Sequence, residues 1–190
     1  VSNPYGIPAV TEDHQVVVTF SLQTFAVIAR VEGGNGSVSP ASQTVGYGRS
    51  TVIEITPGVG YHIASMRDNG TAVGPVTRYE IDNVQEDHEV VVVFERDTFL
   101  VSVSVADGNG RVDPVNQVIP YGETASISII ADIGYHIASI LDNGENKPTV
   151  NPYVISGVTE AHTIVVTFAI DYYTLTLTTT GPGTVTKSPD

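Results

Sequence analysis

Apolar and polar residues alternate along most of this chain. Phe25, Val27, Ala29 and Val31 take one phase, and Ala26, Ile28, Arg30 and Glu32 take the other. Phe99, Val101, Val103 and Val105 repeat that phase, and Tyr173, Leu175 and Leu177 repeat it again. Period two with β-branched and aromatic residues marks a strand with one buried face. A Gly-Asn-Gly turn follows, because Asn and Gly accept positive φ cheaply. Val38, or Val112, then starts a return strand. Ile53 and Ile55, like Ile127 and Ile129, form a third. Tyr61-His62-Ile63 opens a fourth, which Asp68-Asn69-Gly70 turns. Tyr79 and Ile81 make a short strand, and Val90, Val92 and Phe94 a closing one. No stretch has helical spacing of useful length. The class is all-β: tandem small antiparallel modules, grasp-like or sandwich-like, with sequential strands as neighbours.

The pattern is duplicated at the level of letters. Thr24–Asp97 laid over Thr98–Asp171 without a gap gives 33 identities in 74 positions. "GYHIASMRDNG" at Gly60–Gly70 returns as "GYHIASILDNG" at Gly134–Gly144. A strict period of this kind is read before any motif. The organisation is therefore the tail of a preceding repeat at 1–23, complete modules at 24–97 and 98–171, and the head of a following repeat at 172–190. Asn3-Pro4-Tyr5 through Phe20 match Asn151-Pro152-Tyr153 through Phe168. Strands are predicted at Gln15–Phe20 and Tyr173–Thr179, each lacking part of its own module. The joints carry no Gly or Pro, which favours a stiff array.

In each module the core is expected to rest on Phe25, Tyr61, Ile63 and Phe94, and on Phe99, Tyr135, Ile137 and Phe168. Met66 and Ile140 are expected to rejoin it after a local irregularity. His62 and His136 point to the opposite face from Tyr61 and Tyr135. One such histidine per module makes a shared metal site a poor reading. His14, His88 and His162 open the closing strands, and their rings are expected to satisfy loop carbonyls.

Composition narrows the chemistry. Cysteine is absent, which removes disulfides and thiolate sites. The formal charge of −13 argues against a phosphate-binding surface, so no nucleic-acid partner is expected. No apolar run approaches about 18 residues, so no membrane insertion is expected in this segment. The chain opens on Val1 without a signal peptide, as a mature product or a piece of a longer polypeptide would.

No catalytic residue is expected. Asp87-His88 places Asp beside His, but adjacent strand residues point apart, and the second module has Ala161 in place of Asp87. No G-x-S-x-G, P-loop or H-E-x-x-H is present. No cofactor is expected beyond weakly bound calcium, for which Asp68, Asp107 and Asp142 are weak candidates in loops shorter than a dedicated site needs. Asn35 and Asn69 match the N-glycosylation pattern on surface turns.

"GYHIASILDNG", then "YEIDNVQEDHEVVVVF" or "YVISGVTEAHTIVVTF", with "YTLTLTTTGPGTVTKSPD" opening the next copy, resemble the divergent B-repeats. These are internalin-type modules found in tandem on large exported bacterial and archaeal proteins. Many relatives have Trp where Met66 and Ile140 stand. The resemblance implies small β modules related to the β-grasp type, an extracellular or cell-surface location, and work as stalk, fibre or surface-layer components. It transfers no catalytic residue. Neighbouring repeats or identical chains are the expected partners, joined by β-strand addition. The alternative is an adhesin module reading glycan or protein through variable loops, since Thr71–Arg78 differs from Glu145–Pro152.

Overall fold

The computed structural model describes residues 6–185. Among them all helix and strand structure is strand, and the chain divides into two compact units, Val1–Glu95 and Arg96–Asp190. Asn3-Pro4-Tyr5 and Lys187, part of the repeat match at the two ends, lie outside the described residues.

The first unit contains β1 (Thr24–Glu32), β2 (Gly36–Ser39), β3 (Ser42–Gly46), β4 (Thr51–Pro57), β5 (Tyr61–Asp68), β6 (Thr71–Ala72), β7 (Arg78–Ile81) and β8 (His88–Arg96). The second repeats the series with β9 (Thr98–Val105), β10 (Gly110–Asp113), β11 (Asn116–Pro120), β12 (Ala125–Ala131), β13 (Tyr135–Asp142), β14 (Glu145–Lys147), β15 (Tyr153–Ile155) and β16 (His162–Ile170).

The strands fall into two sheets per unit. The larger has the order β3-β1-β8-β5-β6, or β11-β9-β16-β13-β14; the smaller is β2-β4-β7, or β10-β12-β15. Apart from the hairpins β5–β6 and β13–β14, the neighbours are not sequential. The first and last long strands of each module, β1 with β8 and β9 with β16, pair in parallel at the sheet centre. β1 takes β3 as its antiparallel partner, while β2 crosses to pair with β4. In the first unit the turn chemistry accounts for the crossing. Gly33, Gly34 and Asn35 all have positive φ, so the chain swings away instead of closing a two-residue hairpin.

Each pair of sheets shares one core. In the first unit it gathers Val27 and Ala29 from β1, Ile53 and Ile55 from β4, Ile63 and Met66 from β5, and Val90, Val92 and Phe94 from β8. Period two explains most of these positions. Ile63 and Met66 break it, being three apart and both buried. In the second unit the matching irregularity falls between Ile137 and Ser139, where the register against β16 shifts. A bulge of this kind re-aims the rest of the strand. It returns Ile140 to the core, fully buried.

The strands predicted at Gln15–Phe20 and Tyr173–Thr179 do not form: both segments lie outside every sheet. Their apolar side chains stand in solvent, with Phe20 at 91% and Leu175 at 92% exposure. The matching strands β8, β16, β1 and β9 are held at sheet centres by neighbours that these segments lack.

Candidate functional site

The most unusual group in each module is a buried carboxylate. β5 runs through Met66 to Asp68, two residues apart, so period two aims Asp68 inward beside Met66. Asn69 and Gly70 then turn the chain with φ of +46° and +80°. Asp68 is 8% exposed and Asp142 is 5% exposed. A buried charge is costly unless it is paired and hydrogen-bonded.

Both needs are met. The Tyr79 hydroxyl donates to Asp68 Oδ2 at 2.9 Å. His88 Nδ1 lies 2.8 Å from Oδ2 and 3.0 Å from Oδ1. An ionised carboxylate only accepts, so the ring nitrogen donates. The second module repeats the arrangement. Tyr153 donates to Asp142 Oδ2 at 2.9 Å, and His162 Nδ1 lies 2.8 and 3.0 Å from the two oxygens. Burial first, and then the hydrogen bond to the neighbouring carboxylate, pushes the Tyr79 and Tyr153 hydroxyls up to about 12. Tyr79 stands on the smaller sheet, while Asp68 and His88 stand on the larger. The cluster therefore fastens one layer to the other.

A second fastener sits beside it. Asn69 Nδ2 donates to the Asp87 carbonyl at 2.9 Å, and its Oδ1 accepts from the Glu89 amide at 2.9 Å. Asn143 does the same with the Ala161 carbonyl at 3.1 Å and the Thr163 amide at 2.9 Å. Both partners are backbone groups, so the change from Asp87 to Ala161 leaves this clamp intact. The Asp87 carboxylate has a separate task, accepting the Ala26 amide at 2.8 Å.

The histidines divide into two sets. His88 and His162 serve buried carboxylates, which corrects the expectation that they satisfy loop carbonyls. A carboxylate outcompetes a carbonyl here because a hydrogen bond to an ionised acceptor is shorter and stronger than one to a neutral oxygen. His136 belongs to the other set. It is exposed, and its Nδ1 lies 2.7 Å from Asp171 Oδ1, while the Asp171 amide donates to the Gly134 carbonyl at 2.7 Å. The repeated Tyr-His pair thus combines a half-buried Tyr135 on the core with a histidine that holds the residue following β16. His62 is likewise exposed, and His14 stands exposed outside any sheet.

The other candidates are placed as follows. Phe94, Phe168 and Ile63 are buried, while Phe25, Tyr61, Phe99, Tyr135 and Ile137 pack half-buried against the cores. Phe25 and Tyr47 rings approach at 6.3 Å, as Phe99 and Tyr121 do at 6.4 Å. Asp68 and Asp142 have both oxygens engaged, and Asp107 Oδ2 accepts the Phe168 amide at 2.7 Å. Among the described residues no three His, Asp or Glu side chains gather as a metal site. Asn69 is exposed but its side-chain amide is clamped, whereas among the described residues the Asn35 side chain makes only a 3.4 Å contact to the Gly33 carbonyl.

Fold and fasteners together define a duplicated all-β module, built twice on one plan. Residues 26–98 match the family model of the divergent InlB B-repeat domain, the family that the sequence resembles. The match covers nearly the whole first module, and modules of this family occur in bacterial surface proteins. No curated protein matches the chain. Among the described residues no helix is long and apolar enough to cross a membrane.

Proposed function

We propose that this chain is a load-bearing segment of an extracellular tandem-repeat protein, a stalk or filament component. The observation that carries this reading is the parallel pairing of the first and last long strands. β1 and β8 are paired from Val27↔His88 to Glu32↔Val93, and β9 and β16 from Val101↔His162 to Val105↔Val166. In a parallel pair the chain enters at one end of the ladder and leaves at the other. Tension along the polypeptide then shears all of the interstrand hydrogen bonds together instead of peeling them one at a time. The fasteners support the same reading, since shared Asp, Tyr, His and Asn side chains are spent on holding the module closed.

Single-molecule pulling on the full chain tests this. Two unfolding events are expected, each releasing roughly 250 Å for a 74-residue repeat at about 3.4 Å per residue. Both should need forces typical of shear. Modules that yield gradually at low force would overturn the reading.

Association between repeats has a separate support. Residues 15–20 and 173–179 carry strand sequence without sheet partners, and offer edges for strand addition from neighbouring repeats or identical chains. Sedimentation that stays strictly monomeric at high concentration would exclude this between chains. The alternative adhesin reading rests on the unlike segments Thr71–Arg78 and Glu145–Pro152. Glycan binding abolished by exchanging those segments would establish it.

A further inference from the structure

Four Asn-Gly pairs occur in this chain, beginning at Asn35, Asn69, Asn109 and Asn143. The dipeptide has an intrinsic reaction. The glycine amide nitrogen attacks the asparagine Cγ, a C–N bond forms, and ammonia leaves with the amide proton. Water then opens the resulting succinimide to aspartate or isoaspartate. Glycine permits this because no side chain shields its nitrogen.

The four pairs share a dipeptide but not a setting. Asn69 and Asn143 are held at both ends of the side-chain amide, by the Asp87 carbonyl and Glu89 amide in one case and by the Ala161 carbonyl and Thr163 amide in the other. Turning Cγ toward the following nitrogen requires breaking both bonds. Among the described residues the Asn35 side chain has only the 3.4 Å contact to Gly33, at the outer limit of a hydrogen bond. Asn109 makes no side-chain hydrogen bond among the described residues.

The nucleophile is also open at these two positions. The Gly58 amide donates to the Asn35 carbonyl, and the Asp132 amide to the Asn109 carbonyl. With Gly36 opposite Pro57 and Gly110 opposite Ala131, both glycines fall at non-hydrogen-bonded ladder positions. Their N–H groups point away from β4 and β12, off strands at the sheet edge.

We propose that Asn35 and Asn109 are sites of spontaneous deamidation and isoaspartate formation, while Asn69 and Asn143 are protected. The reactive pairs sit against the core rim. A Cβ built at Gly36 would overlap the Phe94 ring, and one at Gly110 the Phe168 ring. An isoaspartate there lengthens the backbone by one methylene at a place with no slack, and adds a charge where the amide was neutral. Aged protein should therefore melt at a lower temperature than fresh protein. This inference does not depend on the load-bearing reading.

The test is peptide mass mapping of the full chain, incubated at mildly alkaline pH in buffer and in concentrated urea. Isoaspartate is detected by labelling with an isoaspartate methyltransferase. In urea all four sites should convert at comparable rates. In buffer Asn35 and Asn109 should convert, and Asn69 and Asn143 should be slower by roughly tenfold or more, since two hydrogen bonds must open first. Equal rates at all four sites in buffer would overturn the proposal. So would conversion confined to the urea sample.

Discussion

His88 Nδ1 lies 2.8 Å from Asp68 Oδ2, on a carboxylate that the Tyr79 hydroxyl also holds. Both members of the pair are largely buried, with side-chain exposures of 15% and 10%. Twenty residues of sequence separate them, and they join the end of β5 to the start of β8. The relationship recurs between His162 and Asp142.

Removing the carboxylate leaves two donors without an acceptor. Asp68→Ala should cost about 3–5 kcal/mol, the range for deleting one partner of a buried pair. Asp142→Ala should do the same in the second module. Urea unfolding followed by tyrosine fluorescence checks this. A loss confined to one of two transitions is expected for each single variant, and to both for the double variant.

An exposed pair between β1 and β8 gives the contrast. Arg30 Nε lies 2.9 Å from Glu89 Oε1, but the side chains are 50% and 59% exposed. Solvent and salt screen such a pair, and ordering two long side chains opposes it. A double-mutant cycle on Arg30→Ala and Glu89→Ala should give a coupling indistinguishable from zero at physiological salt. A sizeable coupling would show that this face is more rigid than its exposure implies.

Two glycines make a prediction from space alone. Gly36→Ala sets a methyl group against the buried Phe94 ring, a side chain that must turn to admit it. Gly110→Ala meets the Phe168 ring and also the Ile130 carbonyl oxygen at 2.7 Å, which is backbone. Overpacking costs about 1–3 kcal/mol. Gly110→Ala should lie toward the upper end, and Gly36→Ala below it. Thermal melts of the two variants decide the order.

The strands were legible because period two marks a buried face directly. Val27 and Ala29, Ile53 and Ile55, and Val90 and Val92 all follow it. The pattern names a face but not a neighbour, so the parallel β1–β8 pairing was not legible. β3 escaped notice because its five residues bury only one side chain fully, Val45. The core of the candidate site was hidden for a related reason. Asp68 reads locally as a turn residue, and its partners lie 11 and 20 residues further on. A signal was nevertheless present. Asp68 shares the phase of Met66, and Asp, Tyr and His stand at identical offsets in both copies. A carboxylate on a core phase, repeated with the same two donors, points to a buried cluster.

The same cluster sets an alkaline limit on stability. The Tyr79 and Tyr153 hydroxyls are raised from 10.0 to about 12, because burial and the adjacent carboxylate disfavour a phenolate. A group whose pKa is raised on folding contributes stability that is complete below its unfolded value. That contribution is lost as pH rises through the folded value. The window is therefore from about pH 10 to about pH 12, and the loss runs toward high pH. Phenolate formation would place a second negative charge against Asp68 or Asp142, with its donor gone. Wild-type protein should lose melting temperature steeply across this window. Tyr79→Phe with Tyr153→Phe should start less stable at neutral pH, because each carboxylate loses a donor. It should then show a shallower decline above pH 10, since the titrating groups are absent. Melting curves collected at intervals from pH 8 to pH 12 separate the two effects. Parallel declines in both proteins would show that the alkaline limit is set outside this cluster.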